Sequence, residues 1–287
     1  MYTELDVRAA DGRILHAYDF RPTDDADERL TVLWHHGTPN VGEPPVPLIP
    51  AARRLGVRWV SYDRPGYGGS GRLPGRDVAS AARDAALVAD ALGVGGFAVM
   101  GHSGGGPHAL ACAALLPGRV TGAVSVSGLA PYDAEGLAWF EGMAPGGEAE
   151  LRAATRGADE LRRVLTEDEW DPSQFVAADH RALEGDWAWL SGVAGRASAD
   201  GVPDGMVDDD LAYVGAWGFR PDAVTVPALL LHGDDDRVVP VGHARWLAGR
   251  LPAAELRVDP GAGHVSVLSR AEEALAWLVD VSRPAAR

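Results

Sequence analysis

The 287-residue sequence contains no lysine and a single cysteine. All 26 basic residues are arginine, which we interpret as the codon bias of a GC-rich genome. With Cys112 alone, no intrachain disulfide can form, and this is compatible with a reducing compartment. The N-terminal segment lacks the basic and apolar regions that are typical of a secretory signal. We therefore expect a cytoplasmic protein.

Long apolar runs and a basic surface are also lacking. No run approaches the roughly 18 apolar residues that indicate a membrane-spanning helix. The net charge is −15, and residues 133–223 hold 20 Asp and Glu against 7 Arg. An acidic field repels phosphate, which argues against nucleic acid and membranes as partners; the same charge is typical of a solvated surface. We expect a small-molecule substrate and a monomer or homodimer.

Short apolar runs bounded by turn residues alternate with helical patterns along most of the chain. Strands are predicted at residues 3–9, 13–20, 30–37, 57–63, 96–101, 120–128, 228–233 and 255–261. Helices are predicted at residues 77–92, 104–118, 242–250 and 271–280. Because strands and helices alternate, we expect an α/β fold with a mostly parallel sheet that is covered by helices on both faces.

Residues 133–223 interrupt this alternation. The segment has helical patches but no predicted strand, and it lies between the sixth strand and the next one. We therefore predict a helical lid at 133–223, inserted into a core formed by residues 1–132 and 224–287. Within the lid, residues 208–219 are expected nearest the substrate because they return the chain to the sheet.

Five of the nine tryptophans fall in this predicted lid. They suggest an apolar wall of a substrate pocket, and the alternative is that they pack the lid on the core. The candidates for substrate contact are Trp139, Trp187 and Trp217, with Trp170 and Trp189 as further members of the group.

Ser103 lies in the run GHSGG at 101–105, which matches the pattern G-x-S-x-G. The pattern alone is weak in a chain with 36 glycines. Here, however, a predicted strand runs into the serine and a predicted helix runs out of it, and the glycines remove side chains that would clash in a tight turn. This context predicts a nucleophile elbow. Ser70 lies in a similar glycine-rich loop but well beyond its strand, and we interpret it as a turn serine.

A serine hydroxyl needs a base to become a nucleophile. His264 follows the last predicted strand, and loops at the carboxyl ends of strands are where α/β sheets place their chemistry. Because the base needs a carboxylate to hold its tautomer, candidate acids are the aspartates that also follow strands. They are Asp133, Asp234, Asp235 and Asp236.

An oxyanion formed during acyl transfer needs two hydrogen-bond donors. The elbow supplies one of them, the backbone N–H of Gly104. The loop after the third strand, HHGTPN, supplies the other. There Gly37 permits a tight turn, and the N–H of Thr38 can point inward. Pro39 has no N–H and is excluded.

Five motifs occur in a fixed order: HGTP (36–39), DRPGYGGSGR (63–72), GHSGG (101–105), HGDDDRVVP (232–240) and GAGH (261–264). Together they resemble the α/β-hydrolase superfamily over about residues 30–132 and 224–281. The resemblance implies an eight-stranded sheet, no metal and no organic cofactor. It also implies that Asp236 is the acid, because the family's acid loop has the form G-x-x-D-x-x-V-P. A serine at the elbow excludes the aspartate-dependent dehalogenases and epoxide hydrolases of this fold.

We therefore expect a serine hydrolase in which Ser103, Asp236 and His264 cleave a small or medium-sized ester, thioester, lactone or amide. One alternative is carbon–carbon bond hydrolysis, lyase or cyclase chemistry with the same three residues. Another is an aminopeptidase-like enzyme whose lid carboxylates bind an amino group. The last is a non-catalytic ligand-binding relative, against which the intact residue set argues.

Overall fold

The computed structural model describes residues 2–22, 28–167 and 171–283, so that Trp170 lies outside the described residues. One sheet forms the centre of the molecule, with the spatial strand order β1-β2-β4-β3-β5-β6-β7-β8. Its strands are β1 (Thr3–Arg8), β2 (Ile14–Phe20), β3 (Leu30–His35), β4 (Val57–Tyr62), β5 (Phe97–His102), β6 (Val120–Val126), β7 (Ala228–Gly233) and β8 (Ala254–Asp259).

Most neighbouring strands of the sheet are parallel. Only β2 pairs antiparallel, with β1 on one side and β4 on the other. All other pairs, from β4–β3 to β7–β8, are parallel. The predicted α/β class with a mostly parallel, eight-stranded sheet is confirmed.

The described part of the chain also forms α-helices. They are α1 (Ile49–Leu55), α2 (Ser80–Ala91), α3 (Gly105–Leu115), α4 (Pro145–Ala154), α5 (Ala158–Glu167), α6 (Ala177–Glu184), α7 (Trp189–Ala197), α8 (Asp204–Val214), α9 (Gly242–Ala248) and α10 (Ala271–Val281). Helix α1 was not predicted from the sequence. No helix among the described residues is long and apolar enough to cross a membrane.

The core consists of two apolar layers, one on each face of the sheet. Successive side chains of a strand point to opposite faces, and β3 illustrates the consequence. Trp34 packs in the layer with α1 and α10, while Leu33 packs in the layer with α2, α3 and α9. Because both faces are covered, β3, β4, β5 and β7 are buried along their whole length.

Residues 127–227, which we call the β6–β7 segment, carry α4 to α8 between two neighbouring strands. Helices α4, α5 and α8 of this segment share a small apolar cluster of their own, which includes Leu161 and Val207. Trp139 and Trp217 join the segment to Val78 of the body. The division into a core and an independent lid stays a prediction.

Candidate active site

Ser103 occupies the tight turn between β5 and α3. Its φ angle is +56°, a left-handed conformation that costs energy for any residue with a side chain. The glycines around it are required by close packing. A Cβ on Gly101 would lie 2.1 Å from the carbonyl oxygen of Gly105, and a Cβ on Gly105 would lie 2.0 Å from the carbonyl oxygen of His35. The turn therefore has the crowded, strained geometry expected of a nucleophile elbow.

His264 and Asp236 are joined by a hydrogen bond. The His264 Nδ1 atom lies 2.9 Å from Asp236 Oδ2 and 3.1 Å from Oδ1. Asp236 Oδ1 also accepts the N–H groups of Val238 and Val239, both at 2.9 Å. Burial opposes ionisation of Asp236, but the charge of His264 and hydrogen bonds from His232 and His264 outweigh it and hold the pKa of Asp236 well below its usual range. Asp236 is thus a buried carboxylate that fixes the orientation of the His264 ring.

The structure places only one of the candidate acids against His264. Asp133, Asp234 and Asp235 are all exposed. Within the described residues none of these three contacts the His264 ring, whereas Asp236 does. The acid implied by the family resemblance is therefore also the one that the geometry favours.

The elbow and the histidine loop pack directly on each other through His102. Its Nε2–H donates to the carbonyl oxygen of His264 at 3.0 Å, and the two rings lie 5.0 Å apart. Burial, aided by the charge of His264, lowers the pKa of His102 to about 3. No described group hydrogen-bonds to Ser103 Oγ, so a Ser103–His264 bond is not formed here; such bonds commonly tighten only in the substrate complex.

The two predicted oxyanion donors lie beside the elbow. A Cβ on Gly37 would lie 3.5 Å from the Ser103 Cβ, and a Cβ on Gly104 would lie 2.5 Å from Thr38 Oγ1. The loop after β3 therefore touches the start of α3. Among the described residues, the N–H groups of Thr38 and Gly104 donate to no other group of the chain. Two free donors next to a serine suit the binding of an oxyanion.

A buried ion pair, which was not predicted from the sequence, contacts the same loop. Arg64 Nη2 donates to Asp209 Oδ2 at 2.7 Å and to the carbonyl oxygen of Gly37 at 3.1 Å. Thr38 Oγ1 donates to Asp209 Oδ2 at 2.9 Å. Asp209 belongs to α8 and Arg64 to the motif after β4. The β6–β7 segment thus takes part in shaping the predicted oxyanion loop.

Further partners keep Asp209 ionised although it is fully buried. Arg76 Nη1 lies 2.7 Å from Asp209 Oδ1, and the hydroxyl of Tyr67 donates to Oδ2 at 2.8 Å. Burial opposes ionisation, but the charges of Arg64 and Arg76 outweigh it and hold the pKa of Asp209 well below its usual range. The Asp209 carboxylate therefore pairs with two buried cations, Arg64 and Arg76.

Residues 208–219 were expected nearest the substrate, and one of them reaches the elbow. The hydroxyl of Tyr213 lies 2.9 Å from Thr38 Oγ1 and donates to the carbonyl oxygen of Gly104 at 3.0 Å. This side chain bridges the two predicted donor residues. Its contact with a substrate stays a prediction.

The three candidate tryptophans are buried in apolar packing. The indole N–H of Trp139 donates to the carbonyl oxygen of Ala130 at 2.9 Å. That of Trp217 donates to the carbonyl oxygen of Tyr213 at 3.2 Å. Trp187 packs in the same apolar layer as Val265, next to His264 in the chain. These positions fit the packing alternative, and substrate contact stays a prediction for all three.

Three of the buried acids of the β6–β7 segment are bound by other groups of the chain. Asp208 pairs with Arg72 at 2.8 Å, Asp209 serves the cations described above, and Asp179 accepts backbone N–H groups of the His264 loop. In residues 2–22, 28–167 and 171–283, no group of three or more His, Cys, Asp or Glu side chains is arranged to hold a metal ion.

Comparison with known proteins gives consistent matches. A family model described as the alpha/beta hydrolase fold matches residues 31–271. A non-heme chloroperoxidase of Streptomyces lividans is 30% identical over 265 residues, covering 90% of this chain and 92% of that protein. A bifunctional esterase/perhydrolase of Acinetobacter calcoaceticus is 29% identical over 82% of this chain and 83% of that protein. The structure of a thermophilic esterase from Thermogutta terrifontis, 23% identical, covers 99% of this chain and 100% of its own with a TM-score of 0.68.

Proposed function

Because the chain belongs to the α/β-hydrolase family, we propose that it is a serine hydrolase that cleaves a small or medium-sized ester, thioester, lactone or amide. The observation that carries the proposal is the buried hydrogen bond from His264 to Asp236, packed through His102 against the elbow of Ser103. An ionised acid, an oriented imidazole and a strained serine turn meet there at the carboxyl end of the sheet.

Acylation begins when His264 Nε2 takes the proton of Ser103 Oγ and the oxygen attacks the substrate carbonyl. The resulting oxyanion accepts hydrogen bonds from the N–H groups of Thr38 and Gly104. His264 then gives its proton to the leaving group, and the substrate's acyl group remains on Ser103. Asp236 stays ionised throughout and stabilises the imidazolium.

Deacylation repeats these steps with water as the nucleophile. His264 takes a proton from water, the hydroxide attacks the ester carbonyl on Ser103, and the proton returns to Ser103 Oγ as the acid leaves. The low pKa of Asp236 supports this role, because a carboxylate that stays ionised can stabilise a charged His264 in both steps.

A second candidate is perhydrolysis, which the name of one similar protein, a bifunctional esterase/perhydrolase, favours. Hydrogen peroxide would replace water in deacylation. One peroxide oxygen would bond to the acyl carbon, the proton would return through His264 to Ser103 Oγ, and a peroxy acid would leave. The same residues serve both reactions, so the choice depends on access of peroxide to the acyl-enzyme.

The aminopeptidase alternative receives less support. It needs an ionised carboxylate of the β6–β7 segment to be free for a substrate amine. Asp179, Asp208 and Asp209 are bound by other groups of the chain, and burial together with Glu150 raises the pKa of Asp210, which favours its neutral form. Carbon–carbon bond hydrolysis, lyase and cyclase chemistry would use Ser103 and His264 as well, and substrate choice separates these from ester cleavage.

The test is a substrate panel assayed with wild type, Ser103→Ala and Ser70→Ala. The panel holds p-nitrophenyl esters of increasing acyl length, a thioester, a lactone and aminoacyl anilides, each with and without hydrogen peroxide. We expect ester cleavage that falls by roughly 10⁴-fold or more in Ser103→Ala and persists in Ser70→Ala. Cleavage of anilides alone, or equal activity in wild type and Ser103→Ala, would contradict the proposal.

A further inference from the structure

Asp179 is a fully buried carboxylate without a cationic partner. It lies in the first turn of α6, in the β6–β7 segment, and its side chain is completely covered. Among the described residues no Arg or His forms an ion pair with it. A buried carboxyl group of this kind is stable only if hydrogen-bond partners replace the water it has lost.

The donors come almost entirely from the loop that carries His264. Asp179 Oδ2 accepts the N–H of His264 at 3.1 Å. Asp179 Oδ1 accepts the N–H of Val265 at 2.9 Å, the N–H of Ser266 at 2.7 Å and the Ser266 hydroxyl at 2.8 Å. Three successive backbone N–H groups therefore converge on one carboxylate, which is the arrangement of an anion-binding nest.

Close approach to this loop requires Gly263. A Cβ at that position would lie 2.1 Å from Asp179 Oδ2. The Ser266 hydroxyl, which donates to Asp179, accepts the N–H of Gly263 at 2.7 Å. The residues on both sides of His264 are thus adapted to receive the carboxylate, and the loop is bound along its length.

We infer that Asp179 is a positioning residue for His264. Asp236 orients the ring through Nδ1, and Asp179 fixes the backbone from which that ring extends. The inference rests on the proposed function, because it matters only if His264 acts as the base. A general base works within a narrow range of positions, and a shift of about 1 Å is enough to cost about 100-fold in rate. On this account the β6–β7 segment is part of the catalytic framework.

Asp179→Asn tests the contact with little change in side-chain volume. The amide oxygen keeps the place of Oδ1, where three donors converge. The amide NH₂ then takes the place of Oδ2 and faces the N–H groups of His264 and Val176, which Oδ2 accepts at 3.1 and 3.2 Å, so both bonds are lost. Asp171→Asn is the matched control, since Asp171 caps a short helix of the same segment, is half-buried, and accepts the N–H and hydroxyl of Ser173.

Leu161→Ala is the control for stability. Leu161 is buried in α5, in a cluster that does not include the His264 loop, so its truncation destabilises the segment without removing a donor or acceptor near His264. Comparing Asp179→Asn with Leu161→Ala, at a temperature where both are folded, separates positioning from a general loss of stability.

The experiment measures two quantities on each full-length variant. The first is the second-order rate of labelling by a fluorophosphonate, which requires an activated Ser103. The second is the hydrogen–deuterium exchange of the peptide that covers residues 260–268. For Asp179→Asn we expect labelling to slow by about 10- to 100-fold and exchange at His264 to accelerate. Both controls should be labelled within about twofold of wild type, as expected of sites that leave the His264 geometry unchanged.

The outcomes separate the inference from the proposed function. If wild type is not labelled, the proposed function fails. If wild type is labelled and Asp179→Asn is labelled equally fast, or no slower than Leu161→Ala, Asp179 does not position His264. If Asp179→Asn does not fold, Ser266→Ala replaces it. This variant removes one donor to Asp179 together with the acceptor of the Gly263 N–H; a several-fold loss of labelling is expected, and an unchanged rate would overturn the inference.

Discussion

Replacing Asp209 by asparagine should be among the most destabilising single changes in this chain. Arg64 and Arg76 are 1% and 7% exposed, and both donate to this carboxylate. Asparagine keeps the volume but leaves two guanidinium groups buried without their anion. Breaking one buried ion pair typically costs about 3–5 kcal/mol. Because two cations share Asp209, we expect a loss at the upper end, about 5 kcal/mol.

The loss is measured by urea unfolding, followed through tryptophan fluorescence, with Asp208→Asn as the control. Asp208 is the neighbouring residue in α8, but its partner Arg72 is 34% exposed and also pairs with Asp204 at 3.2 Å. Asp208 is buried, but its replacement leaves Arg72 in contact with solvent and still paired with Asp204. No cation is then buried without an anion, so the control should lose clearly less, about 1–2 kcal/mol. Equal effects of the two substitutions, or a loss below about 1 kcal/mol for Asp209→Asn, would refute the reasoning.

Two further predictions concern the acid of the site and a buried histidine. Asp236→Asn should fold and lower kcat for a p-nitrophenyl ester by about 10⁴-fold, while Asp133→Asn, at an exposed position, should leave it nearly unchanged; a severe Asp133 variant would overturn our choice of acid. Burial lowers the pKa of His35 from 6.5 to about 3. Below about pH 6.5, His35 is therefore protonated in the unfolded chain but stays neutral in the folded chain, and the free energy of unfolding falls as the pH drops. Between pH 6 and pH 4, the free energy of unfolding should fall more steeply in wild type than in His35→Gln, by up to about 1.4 kcal/mol per pH unit. Equal slopes would show that His35 is protonated in the folded state.

Strands β3, β4, β5 and β7 were predictable because they are buried on both faces, whereas β1 and β8 are partly exposed. Short runs bounded by turn residues predicted all eight strands, and each predicted boundary lies within two residues of the observed one. Helix α1 was not predicted because a segment of seven residues, IPAARRL, is too short to show a helical period. Helix α2 begins at Ser80, three residues later than predicted, because the residues before it form tighter turns, in which the Ser80 N–H donates to the carbonyl oxygen of Asp77 and the Ala81 N–H to that of Val78.

Some residues of the candidate site were also predictable from the sequence, and others were not. Ser103 and His264 follow strands in recognisable motifs, and the spacing of the acid loop, taken from the family, implied Asp236. Asp209 and Asp179 were not predicted, because their partners lie far away in the chain: 145 residues separate Asp209 from Arg64, and 85 separate Asp179 from His264. In the sequence, these two buried acids cannot be distinguished from acids on a solvated surface. Only the packing of the β6–β7 segment in the folded chain distinguishes them.

The central claim is that Ser103 is an activated nucleophile. The most direct measurement is intact-protein mass spectrometry after exposure to a fluorophosphonate, with wild type and Ser103→Ala treated side by side. The account predicts one adduct on wild type and none on the folded Ser103→Ala protein. A folded wild type without an adduct, or an adduct that persists in Ser103→Ala, would contradict it.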